Sequence, residues 1–74
     1  MSIPPSTSDQ ENYKGHLIIS RSRYLGPNAW TYTVDIQSPD GPWLPPINDH
    51  DHTFDTSEAA VAEGMRAGRS VVGR

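Results

Sequence analysis

Eight residues, Trp30-Thr31-Tyr32-Thr33-Val34-Asp35-Ile36-Gln37, alternate apolar and polar without a break. Successive side chains of a strand point to opposite faces. This run therefore commits the chain to a half-buried β-strand, with Trp30, Tyr32, Val34 and Ile36 inward and Thr31, Thr33, Asp35 and Gln37 outward. Its aromatic and β-branched content suits that role. Whatever else the chain forms has to cover the apolar side of this strand.

The residues just upstream supply a partner. Leu25-Gly26-Pro27-Asn28-Ala29 has turn chemistry: Gly and Asn tolerate positive φ and Pro fixes its own. Before the turn, Leu17, Ile19, Arg21 and Arg23 share one strand face, while His16, Ile18, Ser20, Ser22 and Tyr24 share the other. Both faces are apolar near the start, which fits a strand covered on two sides or one whose facing changes at a bulge. The result is an antiparallel hairpin over about 15–24 and 30–38. Ser38-Pro39-Asp40-Gly41 then reads as a type I turn.

Pro42-Trp43-Leu44-Pro45-Pro46-Ile47 lacks three ladder donors, so it serves as an edge strand or an ordered loop, with Trp43, Leu44 and Ile47 packing. A short extended piece around His52-Thr53-Phe54 points Phe54 inward. A helix follows at about 56–72. Asp55 stands three positions before Glu58 in capping-box spacing, with Thr56 as the competing cap. Val61, Met65, Gly68 and Val72 form the inward stripe, widened by Ala60, Gly64 and Val71. Gly64 and Gly68 each cost up to about 1 kcal/mol in a helix relative to Ala. Their four-residue spacing predicts a close approach to the sheet, over Trp30 or Tyr32.

The fold class expected is α+β: a small antiparallel β-sheet, made of a two-strand hairpin plus a short edge strand, packed against one C-terminal α-helix. Residues 1–12 carry Pro4, Pro5 and a polar run with only Ile3 to bury, and read as a disordered tail. Residues 13–74 form a single ββ(β)α domain. Its expected core is Ile18, Trp30, Tyr32, Val34, Ile36, Phe54, Val61, Met65 and Val72, with Leu44 at the margin.

At 74 residues the chain builds a modest core. The absence of cysteine excludes disulfides, thiol catalysis and zinc–thiolate sites. Self-association is then the natural reinforcement. The longest apolar run, Leu17-Ile18-Ile19, is far short of the ~20 residues of a membrane span, and the N-terminus has no signal-peptide pattern. A cytoplasmic protein without membrane association is expected.

Net charge is −3, but it alternates along the chain. Residues 13–34 carry Lys14, Arg21 and Arg23; residues 35–63 carry seven acids; residues 64–74 carry Arg66, Arg69 and Arg74. Lys14, Arg21, Arg23, Arg66 and Arg69 would make a phosphate-contacting patch if the first strand and the helix end converged, with Trp30, Tyr32, Tyr24 or Trp43 to stack on bases. Against this stand an acidic pI near 5.4 and the plainer reading of the aromatics as core.

Asp49, His50, Asp51 and His52, with Asp55 and His16 nearby in type, are residues that ligate divalent metals. An EF-hand read from Asp49 would need Gly and Glu where Phe54 and Ala60 stand. A solvated loop leading into the helix is the reading adopted, with no metal and no cofactor. Neither a nucleophile elbow nor a phosphate-binding glycine loop is present, and the chain is expected not to be an enzyme.

The order Tyr13-Lys14-Gly15-His16-Leu17-Ile18, Trp30 with its alternating neighbours, Pro39-Asp40-Gly41 and Phe54-Asp55-Thr56-Ser57-Glu58-Ala59-Ala60 with Gly64 and Gly68 resembles a group of small uncharacterised proteobacterial strand–strand–(strand)–helix proteins. That layout is similar to the sheet-plus-helix part of HicB-like antitoxins and of double-stranded-RNA-binding-like folds. The resemblance covers about residues 13–72 and implies a fold more than an activity. The Pro-rich 42–47 segment departs from the HicB-like pattern, and the acidic helix start departs from the RNA-binding one. The expected function is a non-catalytic interaction module that binds a protein partner or self-associates, with nucleic-acid binding through the arginine patch as the alternative.

Overall fold

The computed structural model describes residues 6–48 and 52–73. Four strands, β1 (Ser8–Tyr13), β2 (His16–Gly26), β3 (Ala29–Gln37) and β4 (Ile47–Asn48), form one antiparallel sheet in the order β1-β2-β3-β4. Among the described residues a single helix, α1 (Ser57–Val72), lies across β2 and β3 on one face. The α+β layout expected from the sequence is what the chain adopts.

β3 behaves as its alternation requires. Trp30, Tyr32, Val34 and Ile36 are buried beneath the helix together with Ile18, Ala60, Val61 and Met65. Phe54 and Val72 pack against this cluster only partly buried, as do Leu44, Ile47 and Tyr13. Ser20 is also fully buried on the helix-facing side of β2, and its hydroxyl donates to the Val61 carbonyl at 2.9 Å.

That hydroxyl sits where the two helical glycines come down. A Cβ on Gly64 would overlap Ser20 Oγ and stand 2.9 Å from Tyr32 Cγ; one on Gly68 would stand 2.7 Å from Ile18 Cγ2. Of the two rings expected beneath the glycines, Gly64 meets Tyr32, while Gly68 meets Ile18 and Val34 and no ring.

Residues 8–12, expected to be part of a disordered tail, form β1. The strand holds because its stabilisation does not come from apolar side chains of its own. It pairs residue for residue with β2, from Ser8 opposite Arg21 to Tyr13 opposite His16. Thr7 N donates to Ser22 Oγ at 2.8 Å, Thr7 Oγ1 meets Ser57 Oγ at 2.8 Å, and Glu11 is held by Arg69 of the helix. The β1–β2 connection is a two-residue loop in which both Lys14 (φ 50°) and Gly15 (φ 81°) are left-handed, as a type I′ hairpin turn demands.

Two other boundaries move. Thr56, not Asp55, caps the helix, in extended conformation and with its hydroxyl accepting from Ala59 N at 3.1 Å. In the Pro-rich segment only Trp43 bridges to β3, opposite Gln37, and regular pairing resumes at Ile47 opposite Val34. Phe54 pairs with Trp30 through two backbone hydrogen bonds of 2.8 and 2.9 Å, so the extended piece before the helix is real but one bridge long.

Candidate interaction surface

Because α1 covers one side of the sheet, the side chains one residue out of phase face the other way. β2 presents Leu17, Ile19, Arg21 and Arg23 there, and β3 presents Thr31, Thr33, Asp35 and Gln37. The pairing arranges them in rows: Leu17 beside Gln37, Ile19 between Gln10 and Asp35, Arg21 between Ser8 and Thr33, and Arg23 beside Thr31. Trp43 extends the first row, since it bridges Gln37 while its neighbour Leu44 donates to the Ile36 carbonyl and packs into the core. Trp43 is 54% exposed and Leu25, at the hairpin end, 51%. Leu17 and Ile19 are half-buried.

Of the polar members of this face Thr31 is buried, and the others are only partly engaged. Arg21 lies 3.6 Å from Asp35, and Thr33 donates to Asn48 Oδ1 at 3.0 Å. Arg23 is exposed and makes no ion pair among the described residues.

The five cations named for a phosphate-binding patch are not gathered into one. Arg21 and Arg23 stand on the helix-free face. Arg66 pairs with Glu63 one turn away on the helix, and Arg69 forms a bidentate pair with Glu11 at 2.6 and 2.8 Å. Those bonds raise the pKa of both arginines, and the Arg69 guanidinium holds the Glu11 carboxyl below its ordinary range. Lys14 sits in the β1–β2 turn with its ammonium 5.5 Å from the Tyr13 ring centroid. The sheet separates the two groups, because the helix that carries Arg66 and Arg69 lies on its other side.

Of the metal-type residues, Asp49, His50 and Asp51 lie outside the described residues. His52 is exposed, and His16 Nδ1 is 3.1 Å from the Lys14 carbonyl. Among the described residues no three His, Asp or Glu side chains gather as a metal site would require.

Two open cavities flank the helix. One, of about 580 Å3, lies between α1 and the β4 end of the sheet, walled by Tyr32, Ile47, His52, Phe54, Arg66 and Val71. The other, of about 490 Å3, lies at the helix start beside the edge-on Tyr24–Trp30 ring pair, 5.2 Å between centroids. Thr56 and Ser57 in its wall are already used, the first as the cap and the second in the bond to Thr7.

Sequence reasoning placed Trp43 in a packing role and missed its position on the outer face. The signal available was a tryptophan in a proline-broken edge, where only one of two successive side chains can reach the core. Among the described residues no helix is long and apolar enough to cross a membrane. No protein-family model, no curated protein and no solved structure matches this chain.

Proposed function

We propose that this chain is a non-catalytic interaction module of the cytoplasm, which uses the helix-free face of its sheet to bind a protein partner or a second copy of itself. One observation carries the reading. After the helix has covered one side, Leu17, Ile19 and the half-exposed Trp43 remain in adjoining rows on the other. Apolar side chains grouped on an open sheet face mark a contact surface more often than a solvated one.

Nucleic-acid binding is the second reading, and it now rests on a smaller set. Arg21, Arg23 and Trp43 share the helix-free face and supply two phosphate contacts and one stacking ring. Lys14, Arg66 and Arg69 do not join them.

Backbone NMR of the labelled protein in concentrated bacterial extract tests the first reading, and addition of a mixed-sequence oligonucleotide at low salt tests the second. Line broadening confined to Leu17, Ile19, Thr33 and Trp43 in extract, with no response to oligonucleotide, is expected. A response of Arg21 and Arg23 to oligonucleotide alone reverses the order of the readings. Broadening centred on the helix exterior defeats both.

A further inference from the structure

We infer that the occupant of the helix-free face is a second copy of this chain, related by a two-fold axis that crosses the strands at the level of Arg21 and Thr33. This rests on the interaction-module reading and names its partner.

The argument is one of self-complementarity. A two-fold axis between two facing sheets, running across the strands, keeps β2 over β2 and reverses the order of the rows. Centred on Arg21, it sets Ile19 against Arg23 of the second copy and Leu17 against Leu25. The aliphatic stem of an arginine covers apolar surface while its guanidinium reaches outward. Here the row that Arg23 meets is the row that holds Asp35 beside Ile19. Arg23, which makes no ion pair within its own chain among the described residues, so comes beside Asp35 of the second copy, a carboxylate it shares with that copy's Arg21. The symmetry supplies the contact twice.

Two further observations agree. At the axis each Arg21 is accompanied by its own Asp35 at 3.6 Å, so the two guanidinium groups meet with two carboxylates alongside. The β1 edge, another route to a second copy, carries Asp9 beside a Glu11 already paired with Arg69; antiparallel pairing of β1 with itself centred on Gln10 would crowd these acids together, a common way of blunting an edge.

The size of the face sets the strength. Strands of up to eleven residues, each rising about 3.3 Å and lying about 4.8 Å apart, give a footprint of roughly 500 Å2. That is below the lower bound of standard specific interfaces, about 600 Å2 per partner, and fits a weak, reversible dimer rather than an obligate one.

Sedimentation velocity of the full chain from about 5 to 500 µM, with single-cysteine cross-linking, tests this. The cysteine-free sequence makes every introduced thiol unambiguous. A reversible monomer–dimer equilibrium is expected, weakened at least tenfold by Arg23→Glu and by Ile19→Lys. Both variants are expected to keep the wild-type melting behaviour at low concentration. Arg21→Cys, at the axis, forms a disulfide-linked dimer under mild oxidation, and Ala62→Cys on the helix exterior does not. A protein that stays monomeric throughout overturns the second copy while leaving the interaction-module reading to its own test in extract. A dimer that cross-links through Ala62→Cys and ignores Arg23→Glu overturns this face while keeping self-association. A monomer whose Arg21 and Arg23 resonances answer only to oligonucleotide assigns the face to nucleic acid and overturns both.

Discussion

The helix meets the sheet through residues with almost no side chain. Gly64 and Gly68 let the helix settle onto Ser20, Tyr32, Ile18 and Val34 at distances that leave no room for a methyl group. Helix propensity alone says that alanine at either position gains about 1 kcal/mol. Overpacking a close-fitted interface costs about 1–3 kcal/mol. The second effect wins at Gly64, where the added carbon would meet a ring and a buried hydroxyl at once, so Gly64→Ala should lower stability by about 1–2 kcal/mol. Urea denaturation of this variant checks the sign, and a more stable protein would mean that the helix sits further from the sheet than described. Val34→Asp, at a fully buried position in the apolar core, should unfold the domain at room temperature, as loss of near-ultraviolet circular dichroism. The glycine spacing was readable in the sequence because two helix-weakening residues four apart ask for a packing reason. Ser20 was not, because a serine between Ile19 and Arg21 looks like surface until the helix supplies its acceptor.

At the scale of elements the sequence spoke clearly wherever side-chain periodicity decides the outcome and poorly where backbone pairing does. β3, the hairpin turn and α1 follow from alternation, Pro-Asn chemistry and a 3.6-residue stripe. β1 has no apolar period, and its Ser-Asp-Gln-Glu-Asn run reads as disorder by composition. It is a strand because β2 offers a full ladder, the Lys14-Gly15 turn fixes the register, and Arg69 ties Glu11 to the helix. Removing residues 1–12 should therefore lower the melting temperature and promote aggregation through the uncovered β2 edge, whereas a disordered tail would leave both unchanged. The Glu11–Arg69 pair makes a second, subtler test. The folded-state pKa of Glu11 is depressed below that of the unfolded chain, so its contribution is present above about pH 4–5 and is lost as pH falls through the folded value. Glu11→Gln should be less stable than wild type at pH 6, with the gap closing as pH falls through the folded-state value and narrowing in 0.5 M salt because both groups reach solvent. A gap that is independent of pH would show that the side chain matters for packing instead.

The whole molecule joins neighbours in sequence at every strand pair and then lays the last element across the first three, so one face is closed by the helix while the other, where Thr31 is buried but Arg21 and Arg23 are exposed, is closed only in part. For a 74-residue chain without cysteine, closing that second face is the available means of adding buried surface. The site on it was half legible. Leu17, Ile19, Arg21 and Arg23 could be assigned to one strand face from sequence, but which face the helix would take, and that Arg66 and Arg69 would fall on the far side, depend on Ser20, Gly64 and Gly68 fitting together. Mass action turns this arrangement into a thermal prediction. If two chains unfold together, the transition temperature depends on protein concentration. With about 0.7 kcal/mol of unfolding enthalpy per residue, a dimer of this chain should gain about 5 °C in melting temperature per tenfold rise in concentration above its dissociation constant. Arg23→Glu should remove that slope while keeping the low-concentration melting temperature, because the substitution touches only the open face. Calorimetry at 20, 200 and 1000 µM reads both quantities together. A concentration-independent transition in the wild-type protein would leave the open face uncovered by a second copy, and would set its apolar rows to a partner of different sequence.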